Sequence, residues 1–329
     1  MFATLIVAAL ATAPASADDA IIGGSPTSDF EAVGQLAGVH DRYGLYPFCS
    51  GTLVRDKWVI TAAHCVEGAD EIIAYGFDIV FVVGTSVTSS SGIDDYAYVE
   101  RMIEHPEYRS YTHDIGVVEL SGDGLPDVPK IPLNEDSVSG RWIRTDITYV
   151  GWGISSDRGS GSGVKRTVDV PIWDYDSNII YTWDNDGGAN ICSGDSGGAA
   201  LRPDEETGEL ELVAVNSFGF MVDGSREVLC DDPYAAAGVA RIDTELDWLI
   251  SYIGEEPEPE PEPEPEDDDT GSTDGEGDGE SDDNTDDVDS EGGSESPGKA
   301  TACSAAGGSA GGVALLMGLV GAMARRRND

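Results

Sequence analysis

The residues that could do chemistry sit in two short stretches far apart in the chain. Ile191-Cys192-Ser193-Gly194-Asp195-Ser196-Gly197-Gly198-Ala199 sets a serine among glycines. Thr61-Ala62-Ala63-His64-Cys65 supplies an imidazole. A serine hydroxyl is a weak nucleophile at neutral pH and needs an adjacent base to take its proton. Glycines allow a tight turn whose backbone N–H groups point at one spot, which is what an oxyanion needs. A third stretch, residues 113–120, brings Asp114 at the head of the β-branched run Ile115 to Leu120. A carboxylate there can fix the tautomer of the imidazole. Serine, base and carboxylate together suit acyl transfer.

In chain order these residues run His64, Asp114, Ser196. That order and the three motifs resemble the trypsin/chymotrypsin family of serine proteases over roughly residues 21–253. The resemblance implies an all-β fold of two six-stranded antiparallel β-barrels with a short C-terminal helix. It gives barrel 1 about residues 21–130 and barrel 2 about residues 131–243. It implies that Ser196 attacks the peptide carbonyl, that His64 takes and returns the proton, and that Asp114 orients His64. The N–H groups of Gly194 and Ser196 then form the oxyanion hole. By the same resemblance Cys49 pairs with Cys65, and Cys192 with Cys230. Ser217, Phe218 and Gly219 line the substrate groove, with Ser217 bonded to Asp114. The substrates implied are proteins or peptides, and no metal or organic cofactor is implied.

Family members begin their mature chain with a sequence like Ile21-Ile22-Gly23-Gly24. The resemblance therefore implies a zymogen. An activating protease frees the Ile21 amino group, which pairs with Asp195 in the interior. Removing one partner of a buried ion pair costs about 3–5 kcal/mol, enough to couple cleavage to ordering of the site. The family position at the base of the specificity pocket is Asn190, six residues before Ser196. An uncharged amide there disfavours Lys and Arg in the substrate and favours neutral side chains. Gly219 leaves one pocket wall open, and Ala237 narrows the other. Asp231 and Asp232, beside Cys230, are the alternative, since an acid entering the pocket would restore a basic preference.

The elements that must carry these residues read as short strands. Residues 48–54 and 57–61 are apolar runs around a charged turn, and residues 80–83 and 115–120 are further β-branched runs. Residues 125–140 read as the connection between barrels, residues 147–153 as the start of the second barrel, and residues 210–219 and 238–242 as later strands. Residues 244–253 carry Leu246, Leu249, Ile250 and Ile253 at helical spacing, which predicts the closing helix. Among the other histidines, His40 reads as a surface residue. His105 and His113 read as local hydrogen-bonding residues.

Composition frames the rest. The chain has 329 residues and a formal net charge of −45. Residues 255–300 alone hold 21 acidic residues against one lysine. Nucleic-acid binding relies on cations that neutralise phosphate, so that partner class is excluded. Residues 1–17 are apolar, alanine-rich and end Ala15-Ser16-Ala17, which predicts a signal peptide. Residues 18–20 are then a pro-segment. Residues 254–302 predict a disordered acidic linker. Residues 303–329 carry Cys303, an uncharged stretch from Ser304 to Ala324 and Arg325-Arg326-Arg327. That tail resembles C-terminal sorting signals of the MYXO-CTERM and GlyGly-CTERM kinds, which implies a sorting protease, the membrane, and anchoring through Cys303. A plain membrane-spanning anchor is the alternative. For the whole chain, the other readings are a catalytically silent binding or adhesion module and an esterase.

Overall fold

A computed structural model describes residues 21–254 apart from Arg158 and Ser160. The expected signal peptide, pro-segment, acidic linker beyond Gly254 and C-terminal segment with Cys303 lie outside the described residues. No helix of the described residues is long and apolar enough to cross a membrane.

A two-residue strand β1 (Ser25–Pro26) opens the described chain. The first barrel follows, built from β2 (Val33–His40), β3 (Gly44–Arg55), β4 (Trp58–Thr61), β5 (Asp78–Gly84), β6 (Ile93–Glu104) and β7 (Gly116–Leu120). Its ring order is β2-β3-β4-β7-β6-β5, closed by pairing of β5 with β2. The predicted apolar runs fall on β3, β4, β5 and β7. Their β-branched residues suit a pleated surface, and β4, β5 and β7 are buried along nearly their whole length.

The second barrel comprises β8 (Asp146–Gly151), β9 (Arg166–Tyr175), β10 (Ile179–Thr182), β11 (Ala199–Pro203), β12 (Leu210–Met221) and β13 (Ala235–Arg241). Its strands follow the order β9-β10-β13-β12-β11-β8, and β8 returns to β9 to close the ring. Both barrels are antiparallel and six-stranded, as the resemblance implied. Closure removes the open edges that would otherwise invite pairing with another chain.

Two helices join the barrels. The helix α1 (Ala63–Ala74) follows β4 directly and buries Cys65, Val66 and Ala69. By sequence alone this stretch reads as part of a run of strands. Its apolar residues recur at three- and four-residue spacing, and burial of that stripe against barrel 1 decides for helix. The closing helix α2 (Leu246–Ile253) forms where predicted. Its Leu249 and Ile253 join an apolar cluster that runs from barrel 1 residues such as Leu53 and Ile115 into barrel 2 residues such as Leu201 and Leu212.

The N-terminal segment departs from the expected division at residue 21. Ser25 pairs with Thr167 of β9, and Ile21 packs among Trp142, Ile147, Tyr149, Ile180 and Val239 in the core of barrel 2. Residues 21–26 thus belong to the second barrel. The reason is hydrophobic: Ile21 is fully buried there, and burying such a side chain is worth about 1.5–3 kcal/mol.

Candidate active site

Asp114 stands just before β7 and is 0 % exposed. Three donors converge on its carboxylate. The His64 backbone N–H reaches Oδ1 at 2.9 Å, the His64 imidazole Nδ1 lies 2.8 Å from Oδ2, and the Ser217 hydroxyl donates to Oδ2. Burial opposes ionisation, but the bonds from His64 and Ser217 outweigh it and hold the carboxyl below its ordinary range. An ionised Asp114 can accept a hydrogen bond from His64 Nδ1–H and leave Nε2 free to act as a base. His64 lies in the first turn of α1 and keeps a quarter of its side chain in solvent.

The loop bearing Ser196 is pinned to both barrels by Ser50 of β3. Its N–H donates to the Ser196 carbonyl at 2.7 Å and its hydroxyl to the Gly194 carbonyl at 2.9 Å. The Ser50 carbonyl accepts from Thr61 Oγ1 at 2.8 Å, which ties the same residue to the end of β4, just before His64. Gly197 fills the tightest place. Its φ is +80°, and a Cβ there would lie 2.1 Å from Thr61 Oγ1 and 3.2 Å from the Ala62 nitrogen. Only glycine lets the Ser196 loop press so closely on the His64 segment. On the other side, the Gly197 N–H donates to the carbonyl of Asn216, next to Ser217. His64, Asp114 and Ser196 are thereby brought to one seam between the barrels.

Gly194 has φ +95°, the left-handed region that the expected oxyanion turn requires of a glycine. Among the described residues, neither Gly194 nor Ser196 spends its N–H on a backbone carbonyl. Between them, Asp195 is fully buried, with Oδ1 accepting from the Gly153 N–H at 2.8 Å and Oδ2 from the Cys192 N–H at 2.9 Å. Burial still dominates and pushes its carboxyl up to about 7.

The chain matches the trypsin family model over residues 21–241. The chain belongs to the trypsin family. It is 30% identical over 264 residues to trypsin-1 of Salmo salar, covering 76% of this chain and 96% of the relative. It is 30% identical over 225 residues to brachyurin of Leptuca pugilator, covering 64% and 89%. It is also 29% identical over 265 residues to a trypsin of Phaedon cochleariae, covering 72% and 88%. The enzyme is a trypsin-like serine endopeptidase.

Both cysteine pairings implied by that family occur, Cys49–Cys65 beside His64 and Cys192–Cys230 beside the Ser196 loop. Asn190 is 3 % exposed and pairs its backbone with Ile22. Its Oδ1 accepts from the Ile191 N–H at 2.9 Å, while its Nδ2 has no hydrogen-bond partner among the described residues. It lines a small cavity together with Asp184, Ala189, Asp231, Asp232 and Ala235. The expected wall at Ala237 is displaced. Ala237 is buried in the core of barrel 2, paired with Gly219, and Ala235 takes the lining position. Gly219 does not face open space: a Cβ there would lie 3.2 Å from Val228 of the segment between β12 and β13.

Two contributors carry no signal in the sequence. Ser50 follows Cys49, and only the fold shows that it holds the Ser196 loop. Tyr111 stands between His64, at 6.1 Å ring to ring, and Phe218, at 5.0 Å. Its φ of +73° is unusual for a residue with a side chain. It forms an aromatic wall over the seam that no motif announces.

Proposed function

We propose that this protease is an exported enzyme made as a zymogen, with His64, Asp114 and Ser196 as its catalytic residues. Its activation follows release of Ile21, and its C-terminal tail holds it at the cell surface. The observation that carries the catalytic assignment is the convergence of His64 and Ser217 on buried Asp114, beside the pinned Ser196 loop. Asp114 holds the Nδ1 proton of His64. His64 Nε2 takes the Ser196 proton as the hydroxyl attacks the carbonyl carbon. The N–H groups of Gly194 and Ser196 stabilise the oxyanion, and His64 returns the proton to the leaving amine. Water then repeats the sequence on the acyl-enzyme.

Activation rests on Asp195. In the uncut chain it is buried, its oxygens accept from the Gly153 and Cys192 N–H groups, burial outweighs the help of these bonds and of the Arg166 charge, and Ile21 is already packed in the same barrel core. A new ammonium at Ile21 supplies a direct ionic partner. Export is supported by the leader-like residues 1–17 and by two disulfides, which persist in oxidising compartments. The sorting protease, the membrane and Cys303 as anchoring point rest on the tail sequence alone.

For the cleavage position we favour neutral side chains. Asn190 brings no charge, and the acids near it are engaged. Asp231 shares a hydrogen bond with Asp157, which together with burial pushes its carboxyl up, and Asp232 accepts the Tyr234 N–H at 2.8 Å.

The deciding experiment is a peptide-library digest with the chain cut before Ile21, beside the same preparation of Ser196→Ala. Cleavage by the first and none by the second is expected. Equal cleavage by both would refute Ser196 as nucleophile. Binding without cleavage by either would point to an adhesion module, and ester hydrolysis without amide hydrolysis to an esterase.

A further inference from the structure

We propose that His105, His113 and Glu245 form a binding site for one divalent transition-metal ion of the zinc class, clipping the segment before Asp114 to the start of α2. The site is independent of the catalytic assignment. It uses the two histidines that the triad leaves aside and an acid from the far end of the chain.

The donor atoms are nearly in place. His105 Nε2 lies 3.2 Å from Glu245 Oε2, and His113 Nδ1 lies 2.7 Å from Glu245 Oε1. All three ligating atoms lie within 4.8 Å of one another. Four ligands at about 2.0–2.1 Å around a tetrahedral zinc stand roughly 3.3 Å apart. The two imidazoles touch different oxygens of Glu245, so the carboxylate has to turn and present one oxygen to an ion that both rings reach.

The surroundings suit a metal as well. With an ion on Nδ1, the His113 proton moves to Nε2. That atom faces the Glu107 carboxylate at 3.8 Å, and a carboxylate behind a ligating histidine orients the ring and raises its basicity. The two imidazoles are nearly parallel, 14° apart with centroids at 5.0 Å, so both edges can reach one point. Trp248 meets His105 edge-on at 4.6 Å and closes the inner side. His105 and Glu245 are buried, while His113 is about a quarter exposed, which leaves an entry side and a fourth position for water. Existing contacts are lost, among them the 3.4 Å approach of Asn178 Nδ2 to His113 Nδ1, the nitrogen that the metal takes. The Glu107 N–H reaches His105 Nδ1 at 3.2 Å, and a metal on Nε2 requires a proton on that nitrogen. At that length, between residues two apart, the bond is weak beside a metal–imidazole bond.

Two nitrogen donors and one carboxylate select against hard cations, which take oxygen ligands. Calcium attracted by the acidic chain therefore does not compete here. The ion would brace a strained segment, since Ser110, Tyr111 and His113 all have positive φ, at 47°, 73° and 54°.

The test is titration of chelator-treated full chain with Co²⁺ as the probe, read by its visible ligand-field absorption, followed by Zn²⁺ competition. One equivalent should give the band, Zn²⁺ should displace it, and excess Ca²⁺ should not. His113→Asn, chosen because asparagine tolerates a positive φ, should abolish the band and weaken Zn²⁺ binding at least about 100-fold. Glu107→Gln, an exposed change that leaves the ligands intact, should weaken it by about 10-fold. The melting temperature of the unaltered chain should rise with one equivalent of Zn²⁺. No band, a band unchanged in His113→Asn, or no response of Zn²⁺ affinity to Glu107→Gln would each overturn the site and leave a purely hydrogen-bonded His–Glu–His clamp.

Discussion

Replacing Asp195 by asparagine should change the stability of the uncut and cut chains in opposite directions. In the uncut chain the Asp195 carboxyl has its value raised by burial from 3.8 to about 7. A carboxyl raised in the folded state favours folding most below its unfolded value, and that contribution is lost as pH climbs through the folded value. That loss amounts to about 4 kcal/mol in full, more than half of it between about pH 5 and pH 8. The substituted amide cannot ionise and escapes that loss. It gives up one acceptor, because its NH₂ would face either the Gly153 or the Cys192 N–H, at a cost of about 1–3 kcal/mol. At pH 8 the uncut Asp195→Asn chain should therefore equal or exceed the unaltered chain in stability. Relative to that chain it should gain roughly 2–3 kcal/mol between about pH 5 and pH 8. After cleavage before Ile21 the sign reverses. The new ammonium is buried beside the amide without a counter-charge, and the variant should lose about 3–5 kcal/mol. The assay is urea denaturation of all four proteins at both pH values, with Ser196→Ala in every background to prevent self-digestion. The difference between variants cancels the titration of the many other carboxylates. An equal loss on both sides of the cleavage would refute the pairing of Ile21 with Asp195, and no pH dependence of the difference in the uncut chain would refute the raised carboxyl.

Removing the Ser217 hydroxyl with Ser217→Ala takes one donor from a buried carboxylate and should lower kcat by about 10- to 100-fold with little change in KM, as a hydrogen bond to a charged group is worth about 1.5–3 kcal/mol; steady-state kinetics on an amide substrate decide, and an unchanged kcat would mean that Asp114 does not need it. Opening the Cys192–Cys230 bridge, which spans 38 residues, by Cys192→Ala with Cys230→Ala should cost about 4 kcal/mol of folding free energy on chain-entropy grounds. Denaturant midpoints would show this, and a loss under about 1 kcal/mol would mean that the loop is already constrained without it. Asn190→Asp should raise kcat/KM for Arg and Lys substrates by about 100-fold relative to neutral ones if the Asn190 cavity receives the side chain, since each 1.36 kcal/mol is about tenfold in rate. An unchanged ratio would place the specificity pocket elsewhere.

The linear sequence determined the class of the protein and the identities at the centre of its site. Strands at residues 48–61 and 115–120 are legible because burial on both faces leaves short apolar, β-branched runs bounded by polar turns. The closing helix is legible because its apolar residues keep helical spacing. The cysteine pairs are legible through the family motifs, and the roles proposed for His64, Asp114 and Ser196 rest on those same motifs. The helix after His64 is obscured, although Cys65, Val66, Ala69 and Ile72 carry its period, because neighbouring strands make β the simpler reading. Only the tertiary structure decided that residues 21–26 join the second barrel, that Ser50 pins the Ser196 loop, that Val228 packs on Gly219, and that Glu245 meets two histidines more than 130 positions away. Local sequence records the face a residue shows to its own strand or helix. It carries no record of which distant side chain closes the other half of a hydrogen bond, because that partner is chosen by how the two barrels and the last helix pack.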